Sequence, residues 1–386
     1  MSLASLQADL LGTRLSLWLG MTVALPAPAI IVEALSGVEA TLTDKGSNGF
    51  QLVFSVGRTG YPSLDYQILS TPLLKPFNRV VIQIWKGVVP ETLIDGFITR
   101  SELHPSDEPG SSTLTVTGED LRVLMDLHEI TVPYPATGAD VQVRAILARY
   151  AVYLGKVPNV LPPTKVDVPS PTDRIPVQAD TDLKQVECLA RRHGYVFYIE
   201  PTPVPMVNNA YWGPQIRPAI EQPALSVNMG PQTNATIRFN YNSLGPKIVL
   251  GMIQDKKTKA IVPVVTIAPA RPPLSPILPA VAQAGQIRTV MAREFGSLDP
   301  SQAFARAQAE SDHAGDAVTA EGELEMQRYG HILRARRTVD VRGAGWLFNG
   351  PYYVERVTHK IRRGEYTQNF TLKREGLGAL KPVVKT

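Results

Sequence analysis

The 386-residue chain is poor in several things at once. A single cysteine, Cys188, rules out an internal disulfide and a thiolate-rich zinc site, and fits a reducing compartment or one where oxidation is irrelevant. Aromatic residues make up only 7%. No window holds the roughly 20 apolar residues that a membrane-crossing helix needs, and no membrane insertion is expected. Charge of one sign is scarce as well, since 39 Lys and Arg face 35 Asp and Glu, a net +4. The six histidines, His104, His128, His193, His313, His331 and His359, form no H-E-x-x-H and no pair with metal-ligand spacing. Neither G-x-S-x-G nor a phosphate-cradling Gly-rich loop occurs. No cofactor, metal or catalytic residue is assigned. The apolar run over residues 15–29 has the look of a leader, but Asp9 lies upstream, Pro26 and Pro28 interrupt it and Glu33 follows.

What the chain does have is proline, 33 residues of it, in a composition that is 44% hydrophobic and 19% charged. Such a chain folds, and favours strands joined by stiff loops over long helices. Period-two alternation predicts strands over 49–56, 80–85, 93–100 and 113–117, the last two forming a hairpin across a polar loop at 104–112. Helices are expected over 119–128, with Glu119 and Asp120 in the first turn, and over 140–152. A third runs from an Asp180 or Thr181 cap to His193, is ended by Gly194 and is followed by a strand at 195–199. Within that helix Cys188 reads as a small buried thiol rather than a nucleophile paired with His193. A proline-rich connector spans 158–177, and residues 201–223 read as a Pro/Asn-rich loop centred on Tyr211 and Trp212.

Further strands are expected at 235–241, 247–253 and 261–267, then an extended Pro-rich crossover at 268–284. An Ala-rich helix at 299–313 is capped by Asp299 with Pro300 in its first turn. Residues 366–372 alternate strictly, and Glu321 and Glu323 read as a solvated strand face. The fold class is therefore α+β, mainly β: a β module at residues 1–128, an α/β middle domain at 129–232, and a second β module at 233–386. One pattern occurs twice. Trp85 and Trp346 each precede an Asp-Gly or Asn-Gly pair, a strand, a charged turn and a Thr-rich strand, which points to internal duplication.

The small net charge hides a local excess. Residues 331–374 carry ten basic side chains, Arg334, Arg336, Arg337, Arg342, Arg356, Lys360, Arg362, Arg363, Lys373 and Arg374, against Asp340, Glu355 and Glu365. A hairpin rim meeting an acidic protein, or a solvated face, explains this best; a nucleic-acid surface is the other explanation, without the helix-turn-helix or aromatic strand motif that would support it.

Three runs carry a family resemblance in a fixed order: GFI at 96–98 with TVTGEDL at 115–121 and LMD at 124–126; DL at 182–183 with LARRHGYVFY at 189–198; and FNGPYYVERVTH at 348–359 with GEYT at 364–367 and Phe370. Together they resemble the phage late control protein D family, baseplate hubs of contractile tails related to the hub portion of VgrG-type proteins. The resemblance implies two tail-tube-like β-barrel modules flanking the α/β domain, and a homotrimer whose six modules close a pseudo-hexameric ring around an axial channel. It implies a structural, non-enzymatic role joining the hexameric tail tube to the threefold central spike, with DNA or protein passing through the lumen. The partners are then other copies of the chain, the tail tube protein, the central spike protein and baseplate wedge or other baseplate proteins. The setting is a virion tail baseplate or phage-like particle assembled in the bacterial cytoplasm. Because residues 380–386 follow closely on the last strand, the spike is expected to be a separate polypeptide. Arg362 and Arg363 are the candidate partner-interface residues. Two other readings stand beside this one: a tail-associated cell-wall hydrolase, with a catalytic acid in a Pro-bounded insert, and a nucleic-acid-binding β-barrel protein.

Overall fold

The computed structural model describes residues 6–380 apart from 11–12, 58–67, 70, 87–88, 109–110, 164–167, 169–170, 173–174, 216, 218–220, 256–257, 267–270, 279–286 and 293–299. A first β unit holds β1 (Leu6–Leu10), β2 (Thr13–Gly20), helix α1 (Ala29–Ala34), β3 (Leu35–Thr43), β4 (Gly49–Val56), β5 (Arg79–Lys86), β6 (Val89–His104) and β7 (Ser112–Asp120). The middle of the chain supplies β8 (Glu129–Pro133), α2 (Ala139–Ala148), β9 (Val177–Thr181), α3 (Asp182–His193), β10 (Tyr195–Pro201) and β11 (Asn208–Pro214). The last part holds β12 (Glu221–Ser226), β13 (Ala235–Tyr241), β14 (Lys247–Gln254), β15 (Ile261–Val265), α4 (Pro300–Ala314), β16 (Val318–Glu325), β17 (Thr338–Arg342), β18 (Gly350–Arg362) and β19 (Glu365–Arg374).

Alternation decides most of these strands. Phe50, Leu52, Phe54 and Val56 of β4 are all buried on one face, each such side chain contributing about 1.5 to 3 kcal/mol. Helix α3 has the ends its sequence specifies. Thr181 accepts a hydrogen bond from the Lys184 N–H, and Gly194 closes the helix in the left-handed region at φ 67°. The leader-like stretch is structural, since β2 pairs with β5 from Thr13↔Lys86 to Gly20↔Arg79 and buries Leu15, Leu17 and Leu19.

Several expectations are corrected. Glu119 and Asp120 end β7 instead of opening a helix, because the Asp120 carboxylate accepts from the Asn48 and Arg122 N–H groups and from the Arg122 guanidinium, leaving only a four-residue turn at Arg122–Met125. The expected 140–152 helix breaks after Ala148, and Ala151–Leu154 forms a separate turn closed by Gly155 at φ 65°. The loop expected around Tyr211 and Trp212 contains β11, paired with β10 from Tyr195↔Pro214 to Pro201↔Asn208. Its Trp212 is fully buried and donates to the Val186 carbonyl of α3 at 3.3 Å. Cys188 lies exposed on the outer face of α3, not buried. Asp95-Gly96 lies mid-strand in β6, within the strand expected over 93–100, where a Cβ on Gly96 would collide with the Glu119 carbonyl. The described part of the Pro-rich crossover is docked on the chain end: Glu375 accepts from the Leu274 and Ser275 N–H groups, and Ile277 bridges to Leu377. Asp299 lies outside the described residues.

Sheet order exposes the duplication. In the first unit the strands lie side by side as β3-β4-β7-β6-β5, and in the last part as β13-β16-β19-β18-β17. Numbered along the chain within each set of five, both read first, second, fifth, fourth, third. The long fourth strand carries a bulge in each, between Ile98 and Arg100 in β6 and between Val354 and Arg356 in β18. Each unit also has a Phe facing a Gly across its second and fifth strands, Phe50↔Gly118 and Phe370↔Gly322, with the ring lying over the glycine in both. Apolar cores lie within the first unit, around α2, α3 and Trp212, and within the second unit.

Candidate assembly interface

The two units join through one strand. The first part of β18 pairs with β17 of its own unit, from Gly350↔Val341 to Tyr353↔Thr338. Beyond the bulge the same edge of β18 pairs with β3 of the other unit, from Arg356↔Thr43 to Arg362↔Gly37. Faces match across the seam. Val38 and Ala40 lie opposite Ile361 and His359 on the buried side, while Glu39 and Thr41 lie opposite Lys360 and Thr358 on the polar side. The Thr41 and Thr358 hydroxyls are 3.0 Å apart. Ile361 and Tyr366 belong to the core of the first unit, so packing is continuous through the seam.

Buried polar groups fix this junction. His359 is fully buried, its Nδ1 3.0 Å from the Tyr366 hydroxyl and its Nε2 unpartnered. Burial, reinforced by the nearby Arg334 charge, lowers the His359 pKa to about 3, so the imidazole is neutral. Gln368 accepts from the Leu333 N–H at 2.8 Å and donates to the His331 carbonyl at 3.0 Å. Arg334 crosses to Glu91 of β6 at 2.8 Å. Arg336, held at φ 63° where non-glycine residues are strained, lies 4.3 Å over the Tyr198 ring and donates to the Thr43 carbonyl. That one guanidinium, from the last part of the chain, thus touches strands of both other parts. A second buried pair, Arg79 and Asp95, makes two 2.7 Å hydrogen bonds, and Asn208 of β11 adds a 2.8 Å bond to the same carboxylate.

The two candidate residues sit at the tip of the β18–β19 hairpin. Arg362 is exposed and pairs in register with Glu365; Arg363 is exposed and donates to the Glu33 carbonyl of α1 at 2.9 Å. The basic block around them divides. Arg334, Arg336 and Arg374 are buried, Arg374 donating to the carbonyls of Gly376, Asn349 and Leu347. Lys373 is paired with Glu355 at 2.7 Å. Arg356, Lys360 and Arg362 form an exposed stripe on the polar face of β18. A large part of the charge excess is thus internal scaffolding, which weakens the case for a nucleic-acid surface.

Among the described residues no group of His, Cys, Asp or Glu is arranged to hold a metal. A groove of about 730 Å³ between α3 and α4 has one carboxylate among its described lining residues, Asp312, where glycoside hydrolysis uses two. His193 is buried against Trp212, whereas Cys188 is exposed. Sequence reasoning missed β3, although the alternation of Val38, Ala40 and Leu42 with Glu39 and Thr41 carries the signal.

No family model and no curated protein matches the sequence. Solved structures do match its shape. A tail protein from Neisseria meningitidis superposes with a TM-score of 0.61 at 13% identity, covering 95% of this chain and 98% of that one. The 43 kDa tail protein of a Shewanella oneidensis prophage gives 0.61 at 14% identity, covering 94% and 98%. The chain has the fold of a phage tail protein. An E. coli component of the type VI secretion system, described as structurally similar to the T4 bacteriophage tail proteins gp27 and gp5, gives 0.54 at 11% identity over 88% and 73%. The tail-protein fold thus extends over nearly the whole chain, including both five-strand units and the part between them.

Proposed function

We propose that the chain is a structural, non-enzymatic baseplate hub of a contractile phage tail or phage-like injection particle. Three copies form a ring of six β modules that joins the hexameric tail tube to a threefold central spike around an axial channel. Residues 1–128 and 233–386 act as the two tube-like modules, and 129–232 as the middle domain. The partners are two further copies of the chain, the tail tube and spike proteins and neighbouring baseplate proteins, in a particle assembled in the bacterial cytoplasm. Arg362 and Arg363 contribute to the surface that meets the tube or spike.

One observation carries this reading: a single chain contains the same five-strand order twice, joined edge to edge by β3 and β18. An adaptor between sixfold and threefold parts needs two equivalent modules per subunit. Deleting the gene from the strain that makes the particle is expected to leave tail tubes and spikes unjoined in electron micrographs. Normal tails in the deletion strain would contradict the proposal.

A further inference from the structure

Within the two five-strand sets, two strand edges have no strand partner among the described residues, and the duplication relates them. One is β13, which ends its sheet and pairs only with β16. The other is the stretch Arg100–His104 of β6, which continues past the end of β5 and pairs only with β7. Free edges of this kind are templates for pairing with another chain.

Strand β6 corresponds to β18, and β13 to β3. The seam between β18 and β3 is therefore the in-chain version of a contact that β6 and β13 have yet to make. Following the register across the sheet, the row Arg100, Thr117, Gln51, Glu39 in the first unit matches Arg356, Thr371, Glu321, Arg238 in the second. The seam pairs Lys360 with Glu39, Thr358 with Thr41 and Arg356 with Thr43. Their counterparts are His104 with Arg238, Glu102 with Asn240 and Arg100 with Asn242.

The chemistry of the two edges fits that register. Leu103 would face Phe239, both half-buried against their own cores, so the apolar sides align. Glu102, Asn240 and Arg238 are exposed and fall on the polar side, with Glu102 diagonal to Arg238 and within reach of its charge. A one-residue slip would put Phe239 on the wrong face.

We propose that β13 of one copy adds as an antiparallel strand to Arg100–His104 of the next, with Asn240 opposite Glu102. The inference rests on the ring reading above and specifies its subunit contact: repeated three times, the seam alternates between in-chain and between-chain and covers both of these edges.

Disulfide trapping tests the register. In a Cys188→Ser background, Glu102→Cys and Asn240→Cys are combined; these positions match Thr358 and Thr41, whose hydroxyls are 3.0 Å apart. Thr41→Cys with Thr358→Cys is the in-chain control. After mild oxidation, the E102C/N240C chain is expected to run as covalent dimers and trimers on a denaturing gel and to return to monomer on reduction, while each single variant stays monomeric. If native mass spectrometry shows three-chain particles and the control pair closes, yet E102C/N240C stays monomeric, the edge pairing is overturned and the ring survives. A single-chain mass for the unmodified protein overturns both.

Discussion

His359 shows what a single residue does at the seam. Its pKa is lowered from 6.5 to about 3 by burial, so the unfolded chain binds its proton first as pH falls. The contribution is fully present above pH 6.5 and is lost below it, by about 1.4 kcal/mol per pH unit down to the folded value. Calorimetry between pH 7 and 5 is expected to show a steeper loss of Tm for the natural chain than for His359→Gln; parallel slopes would contradict the assignment. Asp95→Asn strips the charge from a buried pair and is expected to cost about 3 to 5 kcal/mol, read as a lowered denaturation midpoint. At this scale the sequence was least legible. Counting charges over 331–374 does not distinguish Arg374, buried among carbonyls, from Arg362 in solvent, because that depends on strands paired from elsewhere in the chain. Cys188 misled for a similar reason: cysteines are commonly buried, but its position on α3 turns outward.

Among the elements, paired strands and their glycines set the geometry. A Cβ at Gly322 would lie 2.6 Å from the Phe370 ring, and one at Gly118 would clash with the Phe50 ring. Gly322→Ala and Gly118→Ala are each expected to cost about 1 to 3 kcal/mol by overpacking, measurable as a drop in Tm. Reversing both arginines of the β18–β19 turn, Arg362→Glu with Arg363→Glu, is expected to leave circular dichroism unchanged while reducing attachment of tube or spike; full assembly with the double variant would count against their role. Strands with clean alternation were legible beforehand: β4 and β13 match residue for residue. Strand β11 was not, since its Pro- and Asn-rich surroundings read as loop and only its pairing with β10 buries Trp212. The Asp95-Gly96 pair sits inside the strand expected over 93–100, where its glycine serves close strand approach.

For the whole molecule, the repeat suggested by two tryptophan-led patterns is present: their strand, charged turn and Thr-rich strand are β6–β7 and β18–β19, although Trp85 lies in β5 and Trp346 in the turn before β18. It lies in the strand order and in bulges at matching positions of β6 and β18, a likeness of topology that spacing in sequence reports only faintly. The seam itself was invisible in the sequence, because β3 and β18 lie more than 300 residues apart and nothing local encodes their register. In the proposed assembly, two equivalent units, one closed seam and two matching open edges make the chain one third of a ring. Cryo-electron microscopy of the purified chain tests this most directly. The account predicts a closed three-chain ring with six similar β modules around an axial channel. Single chains at every concentration, or an assembly whose modules do not alternate around one axis, would contradict it.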